Sequence, residues 1–594
     1  MFRGLACAYY RPVTIRPQGG RWRRAAALAA LALGLPSCAR ERAGIGNSPT
    51  AQAWFTAGEA ETGLDFVHHN GMTGKLLFPE MMGPGCAFLD YDGDGDLDVF
   101  IVEGGELSDP WRPPAAGKGN RLFRNDLRES GKLHFTDVSA RALPPTVGYG
   151  MGVAVGDVDG DGFPDLYVTN LGHNQLLLNR RDGTFVDATP GSGADDPRWS
   201  TSATFFDYDR DGRLDLFIAN YADWTLATDR PCYAPSSARD YCGPLVYSPV
   251  PDRLLHNVGG GRFVDVSLAA GLNAAYGRGL GVVAADLDGD GWPDLYVAND
   301  GTDNQLWINQ RNGTFVNNAL LAGCAFNDAG QPEGSMGIGI GDVDENGDDD
   351  LFVTNFADEK NDLYVSVAPG LFEDRTRVSG LAAPSRGFTG FGTAMADFDG
   401  DSHLDLIVAN GKVRLDPRLV AAGDPHPLGE RNQLFRNLGN GTFEDASARG
   451  GPPFRRAEVG RGLAVGDVDN DGDLDVLISN NAGPVRLLIN RKGPPASWYG
   501  FRAIDRERGS DALGARVRMI LASGKPIVRS VHTDGSYLSA SDPRIVFYLP
   551  AGQEARRLEV AWPGGKREAW TVDPSMKNRY TTLARGAGSP PAGP

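Results

Sequence analysis

Asp90-Tyr91-Asp92-Gly93-Asp94-Gly95-Asp96-Leu97-Asp98 is the stretch from which the fold is read. Aspartate fills its first, third, fifth and ninth places, and glycine its sixth. The pattern returns from Asp157, Asp207, Asp286, Asp342, Asp397 and Asp467, at spacings of 67, 50, 79, 56, 55 and 70 residues. Copies in one register at such a period mark a repeat protein. A Gly-rich run precedes each loop, as in Gly150–Gly156, and an apolar run ending in Asn follows, as in Leu166–Asn170. Next comes a second short run, such as Asn174–Asn179 or Asn304–Asn309, and then a Gly-led segment such as Gly183–Asp187 or Gly441–Asp445. Short β-branched and aromatic runs divided by Gly, Asn and Asp read as strands. Four strands per unit and seven units predict an all-β chain whose repeats build a seven-bladed β-propeller.

Glycine makes up 79 of 594 residues, and the propeller gives it a cause: the innermost strands converge and need small residues. Phe135, Phe185, Phe263, Phe315, Phe372 and Phe443 mark fourth strands, but none follows Val485–Asn490. The expectation is that Leu64-Asp65-Phe66-Val67 supplies the missing strand and fastens the ring, removing an open edge.

The loops suit a hard divalent cation. Calcium takes six to eight oxygens, and alternate aspartates on a tight, glycine-permitted turn present them. The candidate ligands are Asp90, Asp92, Asp94 and Asp98; Asp157, Asp159, Asp161 and Asp165; Asp207, Asp209, Asp211 and Asp215. They continue with Asp286, Asp288, Asp290 and Asp294; Asp342, Asp344, Asn346 and Asp350; Asp397, Asp399, Asp401 and Asp405; and Asp467, Asp469, Asp471 and Asp475. Asn346 keeps an oxygen but loses a charge, and Ser402 stands where the other loops have Gly. The plain alternative, that Asp and Gly simply populate turns, does not account for a register kept through all the copies. The expected cofactor is therefore structural calcium, up to seven ions. Their charge would bring the formal net charge of −18 to −4. The acidity thus reads as metal ligation, and it argues against nucleic acid, which is held by Lys and Arg on phosphate.

Arginines 11 to 24 followed by apolar Ala25–Leu35 read as a signal peptide over residues 1–38. It ends in Leu35-Pro36-Ser37-Cys38, which resembles a bacterial lipobox with Cys38 lipidated; cleavage nearby by ordinary signal peptidase is the alternative. The chain is expected to be exported, as a periplasmic, outer-membrane lipoprotein or cell-surface protein, with the membrane reached only through that anchor. In an oxidising compartment Cys232 and Cys242 read as a disulfide, rather than as two thiols of a surface loop. Cys86 and Cys324 read as small buried residues. Residues 39–60 are expected as a linker, 61–492 as the propeller and 586–594 as a disordered tail.

The repeats resemble FG-GAP/VCBS repeats of integrin-α-like propellers, over about residues 60–490. Residues 496–585 resemble the ASPIC/UnbV domain through Leu513–Val517, Gly535–Ser539, Asp542-Pro543 and Leu558–Gly565, a small all-β module. The pairing resembles bacterial homologues of cartilage acidic protein, which implies an extracellular calcium-binding propeller, usually without an assigned reaction.

Two function classes remain open. One is a binding or adhesion module that engages a glycan or protein ligand through the inter-blade loops, best placed in the insertions at 104–120, 221–250 and 411–430; Trp199, Trp224 and the Tyr-rich disulfide loop are candidates for stacking on sugars. The other is a carbohydrate-active enzyme of polysaccharide lyase or sugar dehydratase type, since some of these are built on similar propellers. Its candidate catalytic residues are His68, His69 and Glu80, although adjacent strand residues face opposite ways.

Overall fold

The computed structural model describes residues 52–591, apart from 109–110, 113, 115–117, 425, 494–496 and 551. The signal peptide, Cys38, residues 39–51 and residues 592–594 lie outside the described residues.

The repeats form an all-β arrangement of propeller type, built as seven four-stranded antiparallel sheets. In sheet one the strands are Cys86–Leu89, Asp98–Ile101, Arg121–Asn125 and Phe135–Asp137, in chain and spatial order alike. The first strands of sheets two to seven are Tyr149–Gly156, Ser200–Phe206, Gly279–Ala285, Ile338–Gly341, Gly390–Ala396 and Gly460–Gly466. They touch one another in that order, and the last touches the first strand of sheet one. Some of these approaches are close enough to require glycine: a Cβ on Gly281 would sit 2.4 Å from the Met336 carbonyl oxygen, and one on Gly392 2.5 Å from that of Arg461. Between neighbouring sheets lie separate apolar cores, such as Phe88, Val99, Ile101, Leu477 and Leu487 between sheets one and seven.

The fourth strand of sheet seven is Phe55–Ala57, which pairs antiparallel with Arg486–Asn490. This corrects the expectation that Leu64–Val67 would do so, and it moves part of the expected linker into the sheets. Phe55 is wholly buried between Phe398 and Phe454, which gives the earlier segment the stronger anchor. Leu64 and Phe66 pack into the neighbouring core instead, with a single bridge from Val67 to Pro484.

After the repeats come a three-stranded sheet centred on Trp498–Ile504 and a four-stranded sheet containing Arg516–Leu521 and Ala555–Ala561. Phe501, Phe547, Val517, Met519, Leu558 and Val560 from both sheets share one core. The expected disordered tail is at least partly ordered, because Ser589 exchanges two backbone hydrogen bonds with Ala569.

Residues 533–542 of this region leave it and enter the repeats. Gly535 donates to Val282, Ser536 exchanges backbone bonds with Ile338, and the Thr393 amide donates to Ser536 Oγ. Val153 donates to the Leu538 carbonyl, Leu538 to Ser202 Oγ, Ala540 to Cys86, and Asp542 to Val465. The segment is thus bonded to the first strand of every sheet, which places it where those strands converge. Tyr537 is fully buried there, and its hydroxyl donates to the Met82 carbonyl at 2.9 Å.

Candidate metal centre

Each aspartate loop joins the first strand of a sheet to the second, and its ninth residue opens the second strand. That ninth aspartate is 0–1% exposed in all seven loops. One of its oxygens accepts the amide N–H of the loop's second residue: Tyr91, Val158, Tyr208, Leu287, Val343, Phe398 and Val468 donate at 2.9–3.2 Å. The other accepts from the end of the third strand: Asn125, Asn179, Asn257, Asn309, Ser366, Asn437 and Asn490 donate at 2.7–2.9 Å. The ninth carboxylate therefore fastens loop to sheet through charge-assisted bonds, whatever else it binds.

The asparagines that end the third strands do a second job. Asn179 Nδ2 donates to the carbonyl of Tyr91 in loop one, Asn257 to Val158 in loop two and Asn309 to Tyr208 in loop three. Asn437 and Asn490 reach Val343 and Phe398 in the same way, and Asn125 reaches Val468 in loop seven. Each sheet thereby holds the loop before it. Sheet five, which has Ser366 here, uses the Gly370 amide on Leu287 instead.

The first aspartate accepts the amide of the sixth residue in every loop, at 2.7–3.2 Å. What remains is the observation that bears on a cation. Asp90 Oδ1, Asp92 Oδ1, Asp207 Oδ1, Asp286 Oδ1, Asp342 Oδ1, Asp399 Oδ1 and Asp469 Oδ1 are buried with no hydrogen-bond partner. Six of the seven loops thus hold a carboxylate oxygen that neither water-exposed surface nor a protein donor satisfies, and such a group is costly unless a cation meets it. Among the described residues loop two alone holds no such oxygen: Asp157 Oδ1 accepts from Gly160 and Asp161, and Asp159 Oδ1 from Asp161. The sets Asp90-Asp92-Asp94, Asp157-Asp159-Asp165, Asp207-Asp209-Asp211 and Asp286-Asp288-Asp290 bring ligand oxygens within 4.8 Å of one another. Burial, and then the neighbouring carboxylates, push Asp92, Asp157, Asp207 and Asp342 up to about 6. Burial raises Asp294 and Asp350 to about 8.

The two departures from the motif keep its geometry. Asn346 Oδ1 accepts the Asp348 amide at 2.8 Å, as fifth-place aspartates do elsewhere, and its Nδ2 donates to the Ser366 carbonyl. Ser402 adopts φ +87°, within the 84–98° range of the six sixth-place glycines, and its amide still reaches Asp397. The fourth place is left-handed as well, with Arg210, Glu345 and Asn470 at φ 56–61°.

The C-terminal region lies over these loops. Arg544 donates to Asn470 Oδ1 and the Asp467 carbonyl, and the Tyr580 hydroxyl to Asp467 Oδ2. Arg516 donates to the Gly347 carbonyl, Arg529 to that of Ser402, and Arg502 stands 3.7 Å from Asp90.

The other candidates fall elsewhere. His68 is 2% exposed, its ring nitrogens face the amides of Gly104 and Ala482, and burial followed by positive neighbours drives its pKa to about 3. His69 is exposed, and the carboxylate beside it is Glu103, at 3.4 Å. Glu80 is wholly buried and accepts the Tyr241 hydroxyl at 3.2 Å. The structure therefore does not gather His68, His69 and Glu80 into one open site. Trp199 and Trp224 are 2% and 4% exposed and pack edge-to-face on each other, so neither ring offers a free stacking face. Cys232 and Cys242 form a disulfide with Cα atoms 5.1 Å apart, and Cys86 and Cys324 are buried free thiols.

The FG-GAP-like repeat family matches residues 90–168, 157–218, 245–297, 286–353, 342–408 and 418–478, and the ASPIC and UnbV family matches 505–589. Cartilage acidic protein 1 of Xenopus tropicalis is 26% identical over 519 residues, 82% of this chain and 71% of that protein. The Homo sapiens protein of the same name is 24% identical over 516 residues, 82% of this chain and 70% of its own. Among solved structures, an Agrocybe aegerita lectin recognising non-reducing terminal N-acetylglucosamine aligns with 63% of this chain and 89% of its own, at TM-score 0.34 and 16% identity. With the repeat matches spanning all seven loops and more than half the chain, this protein belongs to the FG-GAP-like repeat family and carries an ASPIC and UnbV domain after its repeats.

Proposed function

We propose that this chain is an exported, calcium-stabilised seven-bladed propeller that acts as a binding or adhesion module at the cell surface or outside it. The partnerless buried carboxylate oxygens in six loops carry the calcium part of this reading. Asp at the first, third and fifth places, or Asn346 in loop five, would hold the ion with the ninth-place carboxylate behind them, and oxygen-only donors on a flexible turn favour calcium over magnesium. The cyclic contact of the first strands and the pairing of Phe55–Ala57 into sheet seven support a closed ring of seven blades. The Cys232–Cys242 disulfide supports an oxidising compartment.

Topology supports a partner face at the end away from the aspartate loops. The aspartate loops occupy the ends where first strands pass to second strands, and the C-terminal region covers them. The insertions at 104–120, 221–250 and 411–430 all join second strands to third strands, so they emerge at the opposite end. There a cavity of about 500 Å³ is walled by Trp111, Trp199, Trp224, Leu226 and Arg198. Apolar walls with a few polar groups suit a glycan or a protein loop. The carbohydrate-active enzyme reading would place its site at a channel mouth, but residues 533–542 fill the convergence of the first strands and His68 and Glu80 are sealed.

Elemental analysis of the purified chain, followed by a glycan and protein array with and without EGTA, tests the proposal. Bound calcium with calcium-dependent capture of a defined ligand is the expected result. A chain without calcium that turns over a polysaccharide would replace this reading with the enzymatic one.

A further inference from the structure

One place before the third-strand asparagine, or before Ser366 in sheet five, stand in chain order Arg124, Leu178, His256, Ile308, Val365, Arg436 and Ile489. Arg436 shows the reach of the position: its Nε and Nη2 donate to Asp399 and Asp401 of loop six, at 2.6 and 2.5 Å. His256 has the same outlook on loop three and is the one residue of the seven whose side chain is a metal-ligand type.

Its Nδ1 lies 3.4 Å from Asp209 Oδ2 and 3.2 Å from Asp215 Oδ1, and the three atoms are close enough to share one ion. That nitrogen is buried with no hydrogen-bond partner, and so is Asp207 Oδ1 in the same loop. Donor atoms around a tetrahedral zinc, with bonds of about 2.0–2.1 Å, stand roughly 3.3 Å apart. Asp215 Oδ1 also keeps its bond from the Asn257 amide, which holds it in place beside the imidazole.

We infer that loop three is not a calcium site like its neighbours but a mixed nitrogen–oxygen site for a borderline divalent ion of the zinc type, with His256 Nδ1, Asp209 and Asp215 as ligands and Asp207 within reach. Imidazole raises affinity for zinc far more than for calcium, which prefers oxygen. The inference rests on the reading of the loops as divalent-cation sites and changes the identity of the ion in one of them.

The test uses the whole exported chain, without a histidine tag, dialysed against micromolar zinc in millimolar calcium, with both metals measured by elemental analysis. The wild-type chain is expected to keep about one zinc per chain against that excess of calcium. His256→Leu, which places the residue of sheet two in sheet three, is expected to weaken zinc binding by at least about tenfold while calcium at the other loops stays the same. An unchanged melting temperature in calcium shows that the variant folds. A wild-type chain that takes calcium but no zinc, or a His256→Leu chain that keeps its zinc, overturns the inference and leaves the calcium proposal standing. A chain that takes neither ion overturns both.

Discussion

Loops one and two share a motif and a neighbouring position, yet they balance their carboxylates differently. Asp157 of loop two accepts three backbone amides, from Gly160, Asp161 and Gly162. Asp90 of loop one accepts only that of Gly95, and Asp90 Oδ1 and Asp92 Oδ1 are buried without a donor. Loop two therefore has its turn organised by the polypeptide, whereas loop one depends on something outside it for charge compensation. The difference separates two jobs that the motif combines: shaping a turn, which backbone amides can do, and neutralising buried charge, which they do only in part.

Removing calcium should have the largest effect. With free calcium near ten times Kd, each occupied loop adds roughly 1.4 kcal/mol, so independent sites around the ring add on the order of 10 kcal/mol. Thermal melting in EGTA is expected to fall by about 10 °C or more, with loop one losing amide protection before loop two in hydrogen exchange. A melting curve indifferent to EGTA would break the comparison, because loop one would then have some other means of satisfying its orphaned oxygens.

Next in size is the ninth aspartate, where the two loops are alike. Asp98 and Asp165 are both wholly buried and each accepts two backbone amides. Replacing either with Ala strands two buried donors, at about 1–3 kcal/mol each. Asp98→Ala and Asp165→Ala should therefore destabilise by similar amounts, and calcium should not restore the loss. Chemical denaturation with and without calcium measures this; full rescue by calcium would show that these carboxylates act as ligands alone.

Asp92→Asn against Asp159→Asn is a finer probe. Asp92 carries a buried, partnerless oxygen and is pushed up to about 6 by burial and by Asp94 and Asp90. In EGTA its neutralisation should be neutral or stabilising by about 0.5–1 kcal/mol, since an uncompensated charge is removed, whereas in calcium it should destabilise. Asp159 has no such orphaned oxygen, and its change should matter mainly in calcium. Equal behaviour of the two variants in EGTA would contradict the distinction.

The repeat, its strands and the ligand positions were legible in the sequence because each rests on a local rule: alternate Asp on a turn, Gly where φ is positive, apolar runs between turns. The asparagines ending Asn174–Asn179 and Asn304–Asn309 were visible too, but their task was not, since Asn179 and Asn309 reach residues 88 and 101 positions away. Phe55–Ala57 was missed because three residues carry almost no periodic signal, and only burial between Phe398 and Phe454 distinguishes them from Leu64–Val67. Gly535–Ser539 was legible as part of a terminal module, but its insertion into the first strands depends on tertiary packing. His256 has no other histidine near it in the chain, so nothing local marks it. The clue was its register, one place before the recurrent third-strand asparagine, where Arg436 also faces its loop.

Loop six tests how far turn geometry alone explains the loop-two condition. Asp397 Oδ1 accepts from Gly400 and Asp401, which repeats the loop-two pattern, but Ser402 stands at the sixth place with φ +87°. A left-handed conformation costs a residue with a Cβ roughly 1–2 kcal/mol relative to glycine. Ser402 Oγ is also buried without a partner, so the serine returns nothing for the strain. Ser402→Gly should therefore stabilise the chain by about 1 kcal/mol, less the added flexibility of glycine in the unfolded state. Because the backbone already matches that of the glycine loops, the gain should be the same in calcium and in EGTA. A gain confined to calcium would mean that the serine perturbs ion binding rather than the turn, and the division between shaping and neutralising would not hold for this loop.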